Sequence, residues 1–353
     1  MSSTSLIFSN SIADDLNRLL QNYQANQIYV LTDSNSEKFC LPALRSTQAL
    51  QDARFLSIPA GEEHKSVEGL SRVWQFLSSH GATRKSVLVN LGGGMITDLG
   101  GYAAASFKRG IDCIHIPTTV LSAVDAAVGG KTGINFNGLK NEIGAFHLPV
   151  AVLFHAAFFT SLDRANILSG YAEMLKHGLL SDIGYWNELL KLDLNHPESS
   201  DFLNAVKRSV EIKDDITTKD PKEQGLRKAL NLGHTVGHAF ESLSHHRNTP
   251  VLHGYAIAWG LLCELYLSVA QLDFPKNLVS TYAAFVKEQY GAFPISCTDY
   301  DYLYEAMTHD KKNQDANINF TLLSNIGQLQ LDQTANRERI EEMLDFYCDI
   351  LGM

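Results

Sequence analysis

SVLVNLGGGMITD, residues 86–98, is the stretch on which the reading of the fold turns. Residues 86–91 are a short, β-branched, apolar run of the kind buried inside a sheet. Three glycines, Gly92, Gly93 and Gly94, follow at once, and Met95-Ile96-Thr97-Asp98 opens a helical segment. Bare backbone between a strand and a helix can approach an anion closely, with the helix N-terminus turned toward it. The plain alternative is a tight strand-to-helix turn. GxGxxG is absent, so the triplet alone does not establish a dinucleotide site.

The same grammar extends outward. Residues 27–31 (QIYVL) read as a strand ending in Thr-Asp-Ser-Asn, and residues 53–58 as another closed by Pro59-Ala60-Gly61. Residues 67–77 carry helical apolar spacing, and the strand over 111–116 stops at Pro117-Thr118-Thr119. Strands alternating with helices predict a Rossmann-like α/β domain with a parallel sheet, which takes ligands at the carboxyl ends of its strands. Near residue 155 the pattern changes. Residues 202–216 and 254–269 are long helical stretches, 318–331 alternate around Asn325-Ile326-Gly327 as a hairpin, and 337–350 form an amphipathic helix. The expectation is an α/β domain over 1–155, a mostly α-helical domain over 156–353, and the active site in the interdomain cleft.

A formal charge of −10 argues against a nucleic-acid-binding face, yet local Lys and Arg clusters remain available for a small anion. The apolar runs, such as 150–154, are too short to span a membrane, and the amino terminus shows no secretory signal. Five scattered cysteines without a CxxC pair read as reduced thiols in a cytoplasmic protein.

Three constellations carry chemistry. His234 and His238 are four apart in residues 231–241 (NLGHTVGHAFE), which places them on one helical face. HxxxH alone is more often structural. His253, opening another helical segment, and Glu173, inside an apolar one, would complete a two-imidazole, one-carboxylate zinc site with an open position. Arg109, Lys131, Lys140, Lys176, Lys213 and Arg227 lie in apolar or glycine-rich surroundings. Singly each is a solvated side chain; together they suit a polyanionic substrate. Asp33 and Asn35, just past the first strand, stand where a ribose could be met, although Asp is common in turns.

Taken together these stretches resemble the 3-dehydroquinate synthase family of sugar-phosphate cyclases. The resemblance runs from Asp33 to about Gly327. It includes PAGEEHKS (59–66), VGGKTG (128–133), KNEIGAF (140–146), EQGLR (223–227), NLGHTVGH (231–238), LHG (252–254) and DKKN (310–313). It implies conversion of 3-deoxy-D-arabino-heptulosonate 7-phosphate to 3-dehydroquinate and phosphate. NAD would oxidise a hydroxyl transiently, phosphate would leave, the ketone would be reduced again, and an aldol addition would close the ring. It also implies an NAD-binding role for 1–155 and a metal- and substrate-binding role for 156–353.

Position by position, the resemblance implies Glu173, His234 and His253 as ligands of zinc or cobalt. Glu223, His238, Lys176 and Arg227 would be catalytic. Arg109, Asp125, Lys131, Lys140, Asn141, Lys213, Asn231, Lys311 and Lys312 would meet the substrate. Asp33, Asn35, Glu62, Lys65, Gly93, Gly94, Asp98, Thr118, Thr119, Leu121, Ser161 and Leu162 would meet NAD. Asn166 stands where the family usually has glutamate, and Ser161 where it has threonine. His147 replaces a common tyrosine. The implied partners are a small anionic sugar phosphate and a second copy of the chain in a homodimer, with neither nucleic acid nor membrane. Two other enzyme readings are a cyclase of sedoheptulose 7-phosphate or glucose 6-phosphate, and a metal-dependent polyol dehydrogenase that would accumulate NADH. A non-catalytic binding module would leave the HxxxH, Glu173 and the lysines incidental.

Overall fold

A computed structural model of the chain describes residues 4–308 and 318–353. The chain divides into two compact units, Met1–Asp163 with Asn195–Asp214, and Arg164–Leu194 with Asp215–Met353.

The first unit is built on a six-stranded, all-parallel sheet. Its strands are β1 (Ser5–Phe8), β2 (Ile28–Asp33), β3 (Arg54–Ile58), β4 (Val87–Gly92), β5 (Asp112–Pro117) and β8 (Ala151–Phe154), in the order β1-β8-β5-β4-β2-β3. β2 and β4 are buried at every residue, as expected of central parallel strands covered on both faces. The edge strand β3 has exposed positions. Side chains of β4 alternate between two cores. Val87, Val89 and Leu91 join Leu16, Leu44 and Ile114 on one face, and Leu88 joins Leu70, Val73 and Leu99 on the other. β2 connects onward to β3 and β4 onward to β5, on opposite sides, so the sheet's topological switch point lies between β2 and β4. Asp33 ends β2 and Gly92 ends β4 there.

Between β5 and β8 the chain adds an antiparallel hairpin, β6 (Lys131–Phe136) and β7 (Leu139–Phe146). Gly133 faces Gly144, and a Cβ on Gly144 would fall 2.1 Å from the Thr132 carbonyl oxygen.

The second unit is mainly helical. Its longest helices are Arg164–Leu180 and His253–Leu272, joined by His234–His246 and the terminal Arg337–Leu351, whose N-cap Asn336 accepts from the Arg339 N–H. β9 (Ile318–Asn325) and β10 (Gln328–Ala335) pair antiparallel around Gly327, which has φ 75°. His253–Leu272 is apolar and long enough to cross a membrane by composition, in contrast to short runs such as 150–154. Its most apolar window is 67% buried inside the fold, which marks a core helix.

The boundary expected after residue 155 falls after Asp163, and residues 195–214 return to the first unit. Helical periodicity reports a helix, not the unit it packs with. What ties this stretch to the first unit is long-range contact, including the bond from Lys213 to Asp125.

Candidate active site

At the switch point of the first unit the glycine turn is open. Gly93 is the N-cap of the helix Gly94–Ser106, and no side chain caps it. A Cβ on Gly92 would fall 2.6 Å from Ile96 Cβ, so its bareness serves packing. One on Gly93 would meet the Thr119 side chain, with Cγ2 nearest at 3.2 Å, and one on Gly94 the Ala126 Cβ at 3.4 Å. Those two leave the helix N-terminus accessible to a phosphate. Thr118 is tied to the turn by its N–H bond to the Gly92 carbonyl, 3.0 Å, and Thr119 Oγ1 accepts from the Ser122 N–H.

Asp33 caps the helix Ser34–Phe39, accepting from the Asn35 and Ser36 N–H groups. Both bonds go to Oδ1. Cys40 is buried in the core beneath β2. Burial, with Asp33 nearby, pushes its thiol up to about 11, so it is an inert thiol. Leu162 follows the short turn of helix that ends at Ser161.

Lys65 is nearly buried, with its Nζ 2.5 Å from Asp98 Oδ2, 2.5 Å from Asn141 Oδ1 and 3.6 Å from Glu62 Oε1. Burial works against its charge, but Asp98 and Glu62 outweigh that and hold the amine above its ordinary value. Asn135 organises the group: its Oδ1 accepts from the Asn141 N–H at 2.9 Å and its Nδ2 donates to Glu62 Oε1 at 3.0 Å. Nothing in the sequence singled out Asn135, because a single amide carries no pattern and its partners Glu62 and Asn141 are not its neighbours in sequence. Asp125 lies on a π-helical turn, Ser122–Ala126, and Lys213 pairs with its carboxylate and donates to its carbonyl at 2.5 Å. Lys131 and Lys140 are exposed on the hairpin, and Leu121 flanks the π turn.

Arg109, Asn141 and Glu223 all have positive φ, 70°, 51° and 57°. Left-handed backbone at a residue bearing a Cβ costs on the order of 1 kcal/mol. Here it falls on three expected site residues, and it cannot be read from their types.

In the second unit Glu173, His234 and His253 converge. Glu173 is fully buried on Arg164–Leu180, and each histidine opens its helix. Glu173 Oε1 lies 3.5 Å from His234 Nε2 and 3.6 Å from His253 Nε2. Donors bound tetrahedrally to zinc stand about 3.4 Å apart, so the three residues fit such an ion. Each imidazole is turned by its other nitrogen, His234 Nδ1 toward the Leu232 carbonyl at 3.2 Å and His253 Nδ1 toward Glu241 at 3.3 Å. Burial depresses His253, but bonds to Glu173 and Glu241 outweigh it and raise the ring to about 10. The anionic surroundings favour a cation at this point. His238, Glu241 and His253 form an overlapping donor group.

Lys176 pairs with Glu173 and donates to the Leu230 carbonyl at 2.9 Å. Asn231 Nδ2 donates to Glu223 Oε1 at 3.0 Å. Arg227 is buried and donates to the Pro221 carbonyl, and Asp220 gathers the Gln224, Gly225 and Arg227 N–H groups. These backbone bonds, with Gln224 the largest contributor, hold the Asp220 carboxyl below its ordinary value. Asp220, unremarked in the sequence, is what folds residues 223–227 into place. Asn166 begins the same helix as Glu173, and Lys311 and Lys312 lie outside the described residues.

A bare glycine turn at a sheet's switch point, in a chain that also holds a two-histidine, one-carboxylate cluster, defines an enzyme class equipped for an anionic cofactor and a divalent cation. Comparison with known proteins narrows it. Residues 55–169 match the 3-dehydroquinate synthase N-terminal family model and residues 170–313 the C-terminal one. The chain belongs to the 3-dehydroquinate synthase family. It is 48% identical to the 3-dehydroquinate synthase of Parabacteroides distasonis over 353 residues, covering 100% of both chains. Among solved structures, 2-epi-5-epi-valiolone synthase from Streptomyces hygroscopicus, with NAD+ and Zn2+ bound, superposes with a TM-score of 0.84 at 22% identity, covering 99% of this chain and 98% of that one. A 2-deoxy-scyllo-inosose synthase complexed with carbaglucose-6-phosphate, NAD+ and Co2+ gives 0.82 at 21%, covering 96% and 95%. At those identities the likeness shows the fold.

Proposed function

We propose that this chain converts 3-deoxy-D-arabino-heptulosonate 7-phosphate to 3-dehydroquinate and phosphate, using NAD and a divalent metal. The observation that carries the reading is the Glu173, His234 and His253 cluster, in a chain that matches a 3-dehydroquinate synthase from end to end. Glu173, His234 and His253 would hold zinc or cobalt, which supplies Lewis acidity to a substrate oxygen. Gly93, Gly94, Thr118, Thr119, Leu121, Asp33, Asn35, Ser161 and Leu162 would hold NAD, with Glu62, Lys65 and Asp98 beside them. Bound there, NAD would supply a transient oxidation that makes the neighbouring C–H more acidic.

The chain's own groups carry the rest. Lys131, Lys140, Lys213, Arg109 and Asn141 bind substrate anions and hydroxyls, and Asp125 orients Lys213. His238, beside both ligand histidines with ring centroids 5.2 and 5.9 Å away, exchanges the proton lost in elimination. Glu223, its carboxylate held by the Asn231 amide, takes part in the same proton transfer, Asn231 also meets the substrate, and Arg227 anchors the substrate carboxylate. Lys176 steadies Glu173. The working form is read as a cytoplasmic homodimer, which sedimentation of the purified chain tests.

The deciding assay supplies the heptulosonate phosphate, catalytic NAD and zinc, and follows phosphate and dehydroquinate. Release of both, with no build-up of NADH, supports the assignment. Turnover of sedoheptulose 7-phosphate instead would sink the substrate, and net NADH would sink the cyclase reading in favour of a dehydrogenase.

A further inference from the structure

His234 and His253 each occupy the first position of a helix. A helix N-terminus carries roughly half a positive charge and disfavours a cation, so donors placed there need that charge offset. At His253 the nearby carboxylates are Glu173 and Glu241. At His234 the N-cap is Gly233, with no side chain and with φ 81°, outside the extended region from which Ser, Thr or Asp would cap.

The cap comes from elsewhere in the sequence. Glu264, fully buried in the middle of the apolar helix His253–Leu272, accepts from the Gly233 N–H through Oε2 at 2.6 Å. Its Oε1 accepts from the Thr235 N–H at 3.1 Å and the Val236 N–H at 3.4 Å. Close helix packing brings it there. A Cβ on Gly260 would fall 2.1 Å from the Gly233 carbonyl oxygen, and one on Gly233 would fall 2.7 Å from Leu261 Cγ. A carboxylate buried in a core helix is costly unless its oxygens are satisfied, and these oxygens are spent on the turn that begins with His234.

We propose that Glu264 is a positioning residue of the metal centre: its carboxylate offsets the positive end of the helix His234–His246 and fixes the backbone that presents His234 to Glu173. This rests on the reading of Glu173, His234 and His253 as metal ligands.

The test compares wild type, Glu264→Gln and His234→Ala as purified full-length apo-proteins. Each is titrated with zinc against a chelating indicator, and the cobalt-loaded forms are compared by visible absorption. Glu264→Gln is expected to bind zinc at least about tenfold more weakly, with a changed cobalt spectrum and a smaller rise in Tm on adding zinc. Zinc affinity within twofold of wild type and an unchanged spectrum, even with a lower apo Tm, would assign Glu264 to helix stability alone and overturn the proposal. Wild-type zinc binding in His234→Ala would instead overturn the ligand reading beneath it.

Amide exchange on wild-type protein covers the case in which Glu264→Gln does not fold. The Gly233, Thr235 and Val236 N–H groups are expected to be protected before metal arrives. Fast exchange in the apo form that slows only with zinc would show that the metal builds the turn, and the proposal would fall.

Discussion

Glu241 accepts from His253 Nδ1 at 3.3 Å while His253 Nε2 stays 3.6 Å from Glu173, so one imidazole is held between two carboxylates, one on each nitrogen. A carboxylate on the remote nitrogen fixes the tautomer and raises the donor strength of the other. Glu241 is therefore expected to orient a ligand, although it also belongs to the overlapping donor group with His238.

The two roles separate by substitution. Glu241→Gln is expected to weaken zinc binding about 10- to 100-fold, whereas Glu173→Gln or His253→Ala removes stoichiometric metal and nearly all turnover. Metal content by elemental analysis decides. Complete metal loss in Glu241→Gln, with metal kept in Glu173→Gln, would exchange their roles.

Lys65 neutralises Asp98 with only 4% of its side chain exposed. Lys65→Met strands that carboxylate and is expected to cost about 3 kcal/mol. Adding Asp98→Asn should recover part of the stability in urea unfolding while NAD binding stays weak. Additive losses in the double variant would show that the pair is not coupled.

His115 is buried in β5 against the Asn90 side chain, and burial pushes it down to about 3 from an ordinary 6.5. Below pH 6.5 the unfolded chain takes up a proton at this site that the folded chain refuses. Its contribution to stability is whole above that pH and is lost toward pH 3, at about 1.4 kcal/mol per unit. His115→Gln is expected to flatten the decline of the urea midpoint between pH 6.5 and 4. Parallel declines in the two proteins would remove His115 as a cause.

Glu223 carries its carboxylate on left-handed backbone. Glu223→Gly relieves that conformation, so stability should stay within about 0.5 kcal/mol of wild type or rise. Turnover should fall at least about a hundredfold, as expected when a proton-transfer group is lost. Retained turnover would free Glu223 from any part in the chemistry.

Some of this was legible in residues 86–98 and their neighbours. β2, β3, β4 and β5, the helix Val67–Ser79, the β9–β10 hairpin and the terminal helix all stand where apolar spacing put them. The hairpin β6–β7 was not legible as strands. β7 is exposed or half-exposed throughout, so it lacks the alternation that marks a strand, and it forms because Gly133 and Gly144 let two backbones meet. Helical spacing placed His234 and His238 on one face, but it could not say that Glu173 would face His234, or that Glu264 would cap its helix.

The sequence by itself determined the strands β2 to β5 and the helical periodicity around them, the bare turn after β4 and the types of donor available, because periodicity and glycine content act over a few neighbouring residues. Tertiary structure alone decided that residues 195–214 pack with the first unit, that Asn135 ties Glu62 to Asn141, and that Glu173, His234 and His253 present one atom each within 4.8 Å of one another. Those outcomes depend on which buried faces pack together, a choice made among residues far apart in the chain and invisible to any local pattern.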